Sequence, residues 1–509
     1  MVSFALAQLH EKRYSIFAVN PTTKPSRTER EEIQANRQPK RALGLFDSTM
    51  IVIGVMIGSG IFIVPAGMAR ILGGPGWLLA AWIFAGVLTI AAAFSFGELA
   101  SMMPGGGGMY LYLRETYSPL WGFLYGWTLF TVIQTGTIAA VAVAFARFLG
   151  VLLPSVSESH YLVAPLHLSA HYALTLSTAQ LVALLVIALL TITNALGIEY
   201  GKLIQNSFTV AKIGALAALI VLGFTVGWKA SAVHANLASF WQMPPASGSG
   251  AFLSLLVVFC VSQSGSLFSA DSWHDVTFAA EEVKEPRTTL PRSLAIGTVI
   301  VMLLYLAANV AYLAVLNFPA IAHAPHDRVA TEMLQQIFPA WGAQALAVVI
   351  MVSTFGCINS LVLAGPRAYY AMARDKLFFS AAGQLNWARV PGWSLGMQGV
   401  WAGLLVLLTT YSPVTGYGNL YSDLLDYIIS AALLFYILTI AAVIVLRYKR
   451  PEAERLYRTP GYPFVPAIYI LGASVVVLCL FIDRPATTWP GLALVIAGLP
   501  VYGILRRRA

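Results

Sequence analysis

Charged residues are scarce in this sequence: aspartate, glutamate, lysine and arginine make up 10% of its 509 residues, and 58% of the chain is hydrophobic. A soluble globular domain carries about 25% charged residues. Several apolar runs reach or exceed the roughly 20 residues that cross a bilayer as a helix. The composition therefore excludes a soluble globular protein and predicts an all-α integral membrane protein.

Cysteine is also rare, and its positions exclude a disulfide framework. Cys260, Cys357 and Cys479 all fall inside apolar runs, where we expect packing residues. No metal-ligand cluster such as H-E-x-x-H and no nucleophile–base combination occurs within these runs. We therefore expect a protein that is not an enzyme and that has no metal site and no cofactor.

The apolar runs predict about twelve transmembrane helices. They lie near residues 43–72, 76–102, 119–149, 175–195, 205–228, 250–283, 292–316, 340–373, 395–411, 421–447, 463–483 and 487–505. The polar stretch before them, residues 1–41, predicts a disordered basic tail. No basic segment followed by a small-residue cleavage site begins the chain, so no cleaved signal peptide is expected.

Lysine and arginine are unevenly divided between the two sides of the predicted helices. With the N-terminus inside, the outer face receives few of them: Arg70, Arg147, Lys229, Arg328 and Arg484. Cytoplasmic connections carry the excess of these residues, so both termini are predicted to be cytoplasmic. This bias and contact with anionic lipid account for the net charge of +9, and nucleic-acid binding is not needed to explain it.

Two glycines and a serine interrupt the first predicted span at "IGSGIF", residues 57–62. One interpretation is close helix packing, because Gly54 and Gly58 form a G-x-x-x-G spacing. A second interruption favours another interpretation. The sixth span contains several serines and a carboxylate, Asp271, which is costly at membrane depth and indicates a functional interior.

The two interruptions are five helices apart, which is the spacing of an inverted repeat. A second five-helix unit would begin with the opposite orientation, and paired broken helices indicate the binding site of a transporter. Free N–H groups at Ser59 to Phe62 would bind a carboxylate. Free carbonyls near Phe268 to Ala270 would bind an ammonium group, so the pattern predicts an α-amino acid as the ligand.

Six segments carry a family resemblance, of which the long and specific run at 277–293 is the most telling. They are "IGSGIF" (57–62), "FGELASMMPGGGGMYLYLRETYSPLWGFLYGW" (96–127), "QNSFTVAK" (205–212), "TFAAEEVKEPRTTLPRS" (277–293), "GPRAYYAMARDKLFF" (365–379) and "RLYRTPGYPFVP" (455–466). From about Gly44 to the C-terminus, the chain resembles the amino acid–polyamine–organocation superfamily, and most closely its L-type amino acid transporter branch.

The resemblance implies a LeuT-type fold with broken helices 1 and 6 and alternating access around a central site. The two inverted five-helix repeats would span 42–228 and 250–447, and two additional helices and a cytoplasmic C-terminus would span 463–509. The substrate would be held by residues of both breaks: Ile57, Gly58, Ser59, Gly60, Ile61, Phe268, Ser269, Ala270, Asp271 and Trp273. Among these, Phe268 would act as an aromatic lid on the outer side.

The sixth helix departs from the family pattern of an aromatic residue, a small or acidic residue and then Gly-Trp-Asn. Here Ala270 replaces the aromatic residue, Ser272 replaces the glycine and His274 replaces the asparagine. These residues line the pocket in the family, so the resemblance does not name the amino acid. For His274 a structural hydrogen bond and a titrating role both remain open.

Lys212 is a lone cation in an apolar span, and from the residues alone a snorkelling lysine remains open. The resemblance implies that its ammonium replaces the sodium ion of sodium-coupled relatives, with Ser353 and Thr354 as neighbours. Transport would then be independent of sodium. Glu281 and Glu282 end the sixth span near Lys284 and Arg287 and could form an inner gate or a solvated helix end.

Animal transporters of this branch carry a cysteine between helices 3 and 4 that bonds to an ancillary glycoprotein. Residues 150–174 contain no cysteine, so no disulfide-linked partner is expected. We expect a bacterial inner-membrane transporter that exchanges neutral amino acids, with the amino acid substrate and the lipid bilayer as its partners. A proton-coupled permease, a permease for cationic amino acids or polyamines, and a non-transporting sensor are the alternatives.

Overall fold

Twelve apolar helices, which we label α1–α12, make up most of the computed structural model over the residues it describes. These are residues 41–169, 171–197, 201–242, 251–388, 390–412 and 416–508. Helix α1 consists of α1a (Leu45–Met56) and α1b (Gly60–Leu72), and α6 consists of α6a (Ala251–Ser269) and the 3₁₀ segment α6b (Trp273–Glu282). The predicted tail lies outside the described residues except for Arg41.

The other ten helices run between the two faces of the bundle. They are α2 (Pro75–Met102), α3 (Pro119–Leu152), α4 (Thr178–Ala195), α5 (Gly201–Phe224), α7 (Pro286–Val315), α8 (Gly342–Arg374), α9 (Gly392–Leu407), α10 (Leu420–Lys449), α11 (Phe464–Asp483) and α12 (Pro485–Arg508). Shorter helices in the connections cover Met109–Thr116, Ala230–Ala238, Phe318–Ala322, Pro325–Asp327, Val329–Ile337 and Ser380–Gly383.

Proline and glycine set several of the helix ends. Pro75, Pro119 and Pro286 each stand at the first helical position, where the missing N–H has no intrahelical acceptor to lose. Helix α1b ends at Gly73, whose φ of 78° is the left-handed conformation that stops a helix. These residues explain why the observed ends lie close to the predicted ones.

A small antiparallel sheet was not predicted. Strands β1 (Tyr161–His167), β2 (Tyr172–Ser177), β3 (Leu408–Ser412) and β4 (Gly416–Tyr417) pair in the order β1-β2-β3-β4. Tyr172 lies opposite Thr410, so the sheet joins the α3–α4 connection to the α9–α10 connection. The predicted span at 395–411 was therefore too long, because its last residues belong to β3.

We call the face that carries this sheet the sheet side, and the face where α1a begins the tail side. Within the described residues, 94% of the most apolar 18-residue stretch of α3 is buried inside the protein, whereas the corresponding value for α12 is 17%. Helix α3 is therefore central and α12 peripheral, where it would contact lipid. Helices α1 and α6 pack against each other and against α2, α5, α7, α8, α10 and α11, so both breaks lie in the protein interior.

Candidate substrate-binding site

The break in α1 covers the residues between Met56 and Gly60, where the glycine–serine pattern predicts it. The two halves of the helix meet at an angle of 41°. The N–H of Gly58 donates to the Met56 carbonyl at 2.8 Å, and that of Phe62 donates to the Ser59 carbonyl at 3.1 Å. The N–H of Phe62 is therefore not free, whereas the N–H groups of Gly60 and Ile61 have no backbone acceptor among the described residues and lie at the positive end of the helix dipole. This end of α1b can bind an anion.

The break in α6 lies two residues later than predicted. The expected unwound stretch was 268–270, but α6a continues to Ser269 and the interruption covers Ala270 to Ser272. The serines before the break are compatible with a helix, because Ser266 and Ser269 each donate their hydroxyl to a carbonyl of the preceding turn. Ser272 then adopts a φ of 64°, a left-handed conformation that interrupts the helix before α6b.

The two breaks are in direct contact. A Cβ added at Gly60 would lie 2.9 Å from the Ser269 Cα, which is closer than real Cβ contacts. Tyr305 of α7 joins the same elements, since its hydroxyl lies 2.7 Å from the Met56 carbonyl oxygen and 3.1 Å from that of Ser269. The glycine at position 60 is thus required by close backbone approach.

Side chains from three helices contact the last carbonyls of α1a. Tyr305 contacts the carbonyl of Met56, as described above. The Lys212 ammonium donates to the carbonyl of Gly54 at 2.8 Å. The Cys357 thiol donates to the carbonyl of Val55, and the Ser353 hydroxyl donates to the carbonyl of Ile57, both at 3.4 Å. These are the carbonyls that a helix end leaves without partners. The structure therefore supplies the α1a end with its own donors.

The residues predicted around Lys212 are only partly brought together. Ser353 points at the α1 break, but the Thr354 hydroxyl donates within its own helix to Ile350 at 2.8 Å. Cys357, one turn further along α8, takes the place expected for Thr354. Lys212 is buried, so a snorkelling ammonium, which would reach water at the membrane surface, does not describe its position.

The sheet-side end of the site is formed by α10. The hydroxyls of Ser59 and Tyr421 are hydrogen-bonded at 2.9 Å, and the rings of Phe268 and Tyr421 meet edge to face with centroids 6.1 Å apart. Tyr312 of α7 donates to the Ile61 carbonyl at 3.2 Å. Ile57, Gly58 and Ile61 are buried in this assembly. Neither Tyr421 nor Tyr305 was predicted as a site residue.

A polar cluster follows the α6 break. Tyr436 of α10 hydrogen-bonds Asp271 and lies 3.2 Å from His274 Nδ1, while Tyr125 lies 3.4 Å from His274 Nε2. The other Asp271 oxygen is buried without a hydrogen-bond partner among the described residues. For His274 these contacts support the structural interpretation, because both ring nitrogens face tyrosine hydroxyls.

A small cavity lies beside this cluster. Its volume of about 10 Å³ is at the lower limit for one water molecule. It is lined by Thr89, Leu267, Ala270, Asp271, Trp273, Ile429, Leu433, Tyr436 and Tyr469. Ala270, Asp271 and Trp273 were predicted from the sequence, so three of the predicted site residues share one enclosed space.

Charged and amide side chains close the sheet side. Asp327 accepts from Arg70 at 2.6 Å and from Asn419 at 3.0 Å, and Asn419 accepts from Arg147 at 2.5 Å. Arg147 is also paired with Glu158. Burial, followed by the charge of Arg147, lowers the pKa of the neighbouring Arg328. We call Arg70, Arg147, Glu158, Asp327, Arg328 and Asn419 the sheet-side cluster.

The tail side is closed mainly by backbone pairing. The N–H groups of Ala42 and Leu43 donate to the Glu282 carbonyl at 2.9 and 3.0 Å. The backbone N–H of Lys284 donates in turn to the Leu43 carbonyl at 2.8 Å. The Glu282 carboxylate pairs with Arg367 of α8 at 2.9 Å. Glu281 is 3.4 Å from the Gly106 N–H.

The expected neighbours of Glu281 and Glu282 were wrong in one respect. Arg287 forms its ion pair with Glu454 at 2.6 Å. The carboxylate of Glu282 instead reaches across to α8, which ties the end of α6b to a different helix. The described part of the chain is thus closed on both sides of the breaks by direct contacts.

A bundle of apolar helices in which two broken helices meet at a central, enclosed polar site defines the class of integral membrane transporters. A model of the amino acid permease family matches residues 43–502. The chain therefore belongs to this family, which confirms the resemblance and the LeuT-type fold predicted from the sequence.

Relatives extend over nearly the whole chain. The serine/threonine exchanger SteT of Bacillus subtilis is 27% identical over 92% of this chain and 98% of its own length. The human large neutral amino acids transporter small subunit 2 is 28% identical over 91% of this chain and 80% of its own. The human b(0,+)-type amino acid transporter 1 is 28% identical over 94% and 91%. This chain is accordingly an amino acid transporter.

Proposed function

We propose that this transporter exchanges neutral amino acids by alternating access and does not require sodium. The observation that carries the proposal is the contact between the two helix breaks. Gly60, the first residue of α1b, lies against Ser269, the last residue of α6a, so the N–H end of one half-helix adjoins the carbonyl end of the other. A carboxylate at the first and an ammonium at the second are the two groups of an α-amino acid.

Independence from sodium is inferred from Lys212. Its ammonium already donates to the Gly54 carbonyl at 2.8 Å, beside the negative end of α1a. A resident cation occupies this position in every transport cycle without being taken up from solution. Substrate is then the only ligand that has to bind and leave, which favours exchange. The name of the bacterial relative, a serine/threonine exchanger, supports exchange, and the name of one mammalian relative, a large neutral amino acids transporter, supports neutral substrates.

Cationic amino acids or polyamines are a second candidate class of substrate, and one contact favours it. Asp271 lines the small cavity, and one of its carboxylate oxygens has no hydrogen-bond partner among the described residues. A side chain with an ammonium or hydroxyl group would supply the missing donor. Ala270 stands where the family pattern has an aromatic residue, and its smaller side chain reduces the bulk beside Asp271.

Orientation, localisation and chain organisation belong to the same proposal. The positive-inside rule makes the tail side cytoplasmic, and a bacterial inner membrane fits the relative from Bacillus subtilis. Glu281 and Glu282 then close the cytoplasmic side. The repeats span 42–228 and 250–447, followed by the added helices at 463–509. A disulfide-linked subunit is not required, since residues 150–174 lack cysteine.

Transport into liposomes that contain the purified protein tests the proposal. Labelled amino acids are offered in sodium-free buffer, with and without unlabelled amino acid inside. We expect uptake of neutral amino acids only when amino acid is present inside. Uptake into empty liposomes under an imposed proton gradient contradicts exchange and supports proton coupling, and uptake of arginine or polyamine alone supports the second substrate class.

Gly60→Ala tests the site itself. The new Cβ collides with the backbone of Ser269, so α1b and α6a have to separate. Overpacking of this kind costs about 1–3 kcal/mol, which corresponds to a roughly 5- to 100-fold loss of substrate affinity. Gly214→Ala on α5 is the matched control, because nothing lies within 4 Å of its added Cβ. Unchanged affinity in Gly60→Ala would contradict a main-chain site at the breaks.

A further inference from the structure

Tyr421 lies between the candidate site and the sheet-side cluster. It is the second residue of α10 and only 2% exposed. Its hydroxyl contacts the Ser59 hydroxyl at 2.9 Å, and its ring meets Phe268 edge to face. The Arg147 guanidinium lies 5.3 Å from the centroid of the same ring. One side chain thus touches the start of α1b, the end of α6a and a buried arginine of α3.

Arg147 connects this tyrosine to the rest of the sheet-side cluster. Arg147 is 8% exposed, and its guanidinium pairs with Glu158 and donates to Asn419 at 2.5 Å. Asn419 in turn donates to Asp327, which binds Arg70 near the end of α1b. These contacts join α1b, α3, the α7–α8 connection and the start of α10. They have to separate before a ligand can enter from the sheet side.

The Ser59–Tyr421 pair has a spare donor. Two hydroxyls carry two protons, and the bond between them uses one. No acceptor for the second proton is found among the described residues, although a carboxylate at the first N–H groups of α1b would lie beside it. A bound carboxylate would therefore strengthen the link, because hydrogen bonds to charged groups are the stronger ones.

We propose that Tyr421 is a positioning residue that links an occupied substrate site to closure of the sheet-side cluster. Its hydroxyl engages Ser59 and the bound carboxylate, and its ring holds Arg147 in the closed arrangement. The link is made only when α10 lies against α1b, so it stabilises every state in which the sheet side is closed. This inference rests on the proposed function, because it takes the ligand to be an amino acid.

Tyr421→Phe tests the link, because it keeps the ring beside Arg147 and Phe268 and removes only the hydroxyl. A neutral hydrogen bond contributes about 1 kcal/mol, which corresponds to a roughly five-fold shift in population toward the state open on the sheet side. We expect KM for substrate offered on the tail side to rise about five-fold. KM on the sheet side should rise less, because there the larger population of the open state offsets the loss of the hydroxyl's contact with the carboxylate.

Tyr427→Phe is the matched control. Tyr427 is a buried tyrosine of the same helix, and its hydroxyl donates to the Thr131 carbonyl at 3.2 Å, outside the link. Removing it costs a similar hydrogen bond but should not change the two KM values relative to each other. Ser59→Ala combined with Tyr421→Phe should shift the tail-side KM less than the sum of the single changes, because both remove one bond.

Hydrogen–deuterium exchange gives a readout that does not depend on transport. In Tyr421→Phe, backbone amides of 318–337 and 416–425 should exchange faster, whereas 42–44 and 281–285 on the tail side should not change. Equal changes of both KM values, or unchanged exchange at 318–337, would overturn the inference. Wild-type protein that transports no amino acid would overturn the proposed function instead, while the amide exchange would still report on the link.

Discussion

Lys212→Met removes a charge from the α1 break while keeping the length and apolar character of the side chain. The ammonium is buried and donates to the Gly54 carbonyl at 2.8 Å. Without it, that carbonyl loses its side-chain donor, and the negative end of α1a loses its cation. The other donors to the last carbonyls of α1a, Cys357 and Ser353, lie at 3.4 Å and cannot replace a charge.

The magnitude follows from the kind of bond that is lost. A hydrogen bond from a charged donor contributes about 1.5–3 kcal/mol, and each 1.4 kcal/mol is about a factor of ten. We therefore expect the exchange rate to fall about 10- to 100-fold. Sodium should not restore it, because methionine still occupies the space beside Gly54.

Exchange in liposomes, measured in sodium chloride and in choline chloride, checks this prediction. Lys229→Met is the matched control, since Lys229 donates to Gln336 at 2.6 Å on the sheet side, away from the breaks. Its rate should stay within about two-fold of wild type, as expected for most partly exposed sites. A Lys212→Met protein that is folded and exchanges at the wild-type rate would refute the reasoning and return Lys212 to a packing role.

Two further substitutions test neighbouring parts of the site. Tyr305→Phe removes the hydroxyl that donates to the Met56 and Ser269 carbonyls. The loss of these two buried contacts, at about 1 kcal/mol or less each, should lower thermal stability and raise KM several-fold. An unchanged KM would show that the contacts of Tyr305 do not shape the site. Ala270→Phe adds a ring that the cavity of about 10 Å³ beside Asp271 does not hold, so the ring has to take space from the substrate site. Uptake of large side chains should then fall more than uptake of small ones in the same amino acid panel, and an identical substrate profile would place position 270 outside the pocket.

The α1 break could be predicted from sequence because its cause is local. Gly58, Ser59 and Gly60 are consecutive, and the two glycines weaken a helix wherever they stand. The position of the α6 break was less accessible, although that span contains more polar residues. Serines inside a helix can return their hydroxyls to the preceding turn, as Ser266 and Ser269 do, so their number alone does not place a break.

The side chains that complete the site could not be predicted in this way. Tyr305 and Tyr421 lie 249 and 362 residues along the chain from the α1 residues that they contact. A single tyrosine in an apolar helix has no local pattern that distinguishes packing from hydrogen bonding. The sheet was missed for a related reason, because β1 and β2 pair locally but complete their sheet only with β3, more than 230 residues later.

The two halves of α1 differ in the hydrogen-bond partners that the protein supplies at the break. This difference bears on how substrate binding is coupled to closure of the sheet side. Consecutive carbonyls at the end of α1a accept from four side chains: Lys212, Cys357, Tyr305 and Ser353. The protein itself therefore stabilises that end. At the start of α1b, the N–H groups of Gly60 and Ile61 have no backbone acceptor among the described residues, and the hydroxyl of the capping residue Ser59 is bonded to Tyr421. The positive end is thus the part of the break that a ligand's carboxylate has to complete. If closure of the sheet side depends on that carboxylate through Tyr421, the empty transporter closes less readily than the loaded one. The transporter then has to bind a substrate molecule to return, so transport in one direction requires substrate on the other side.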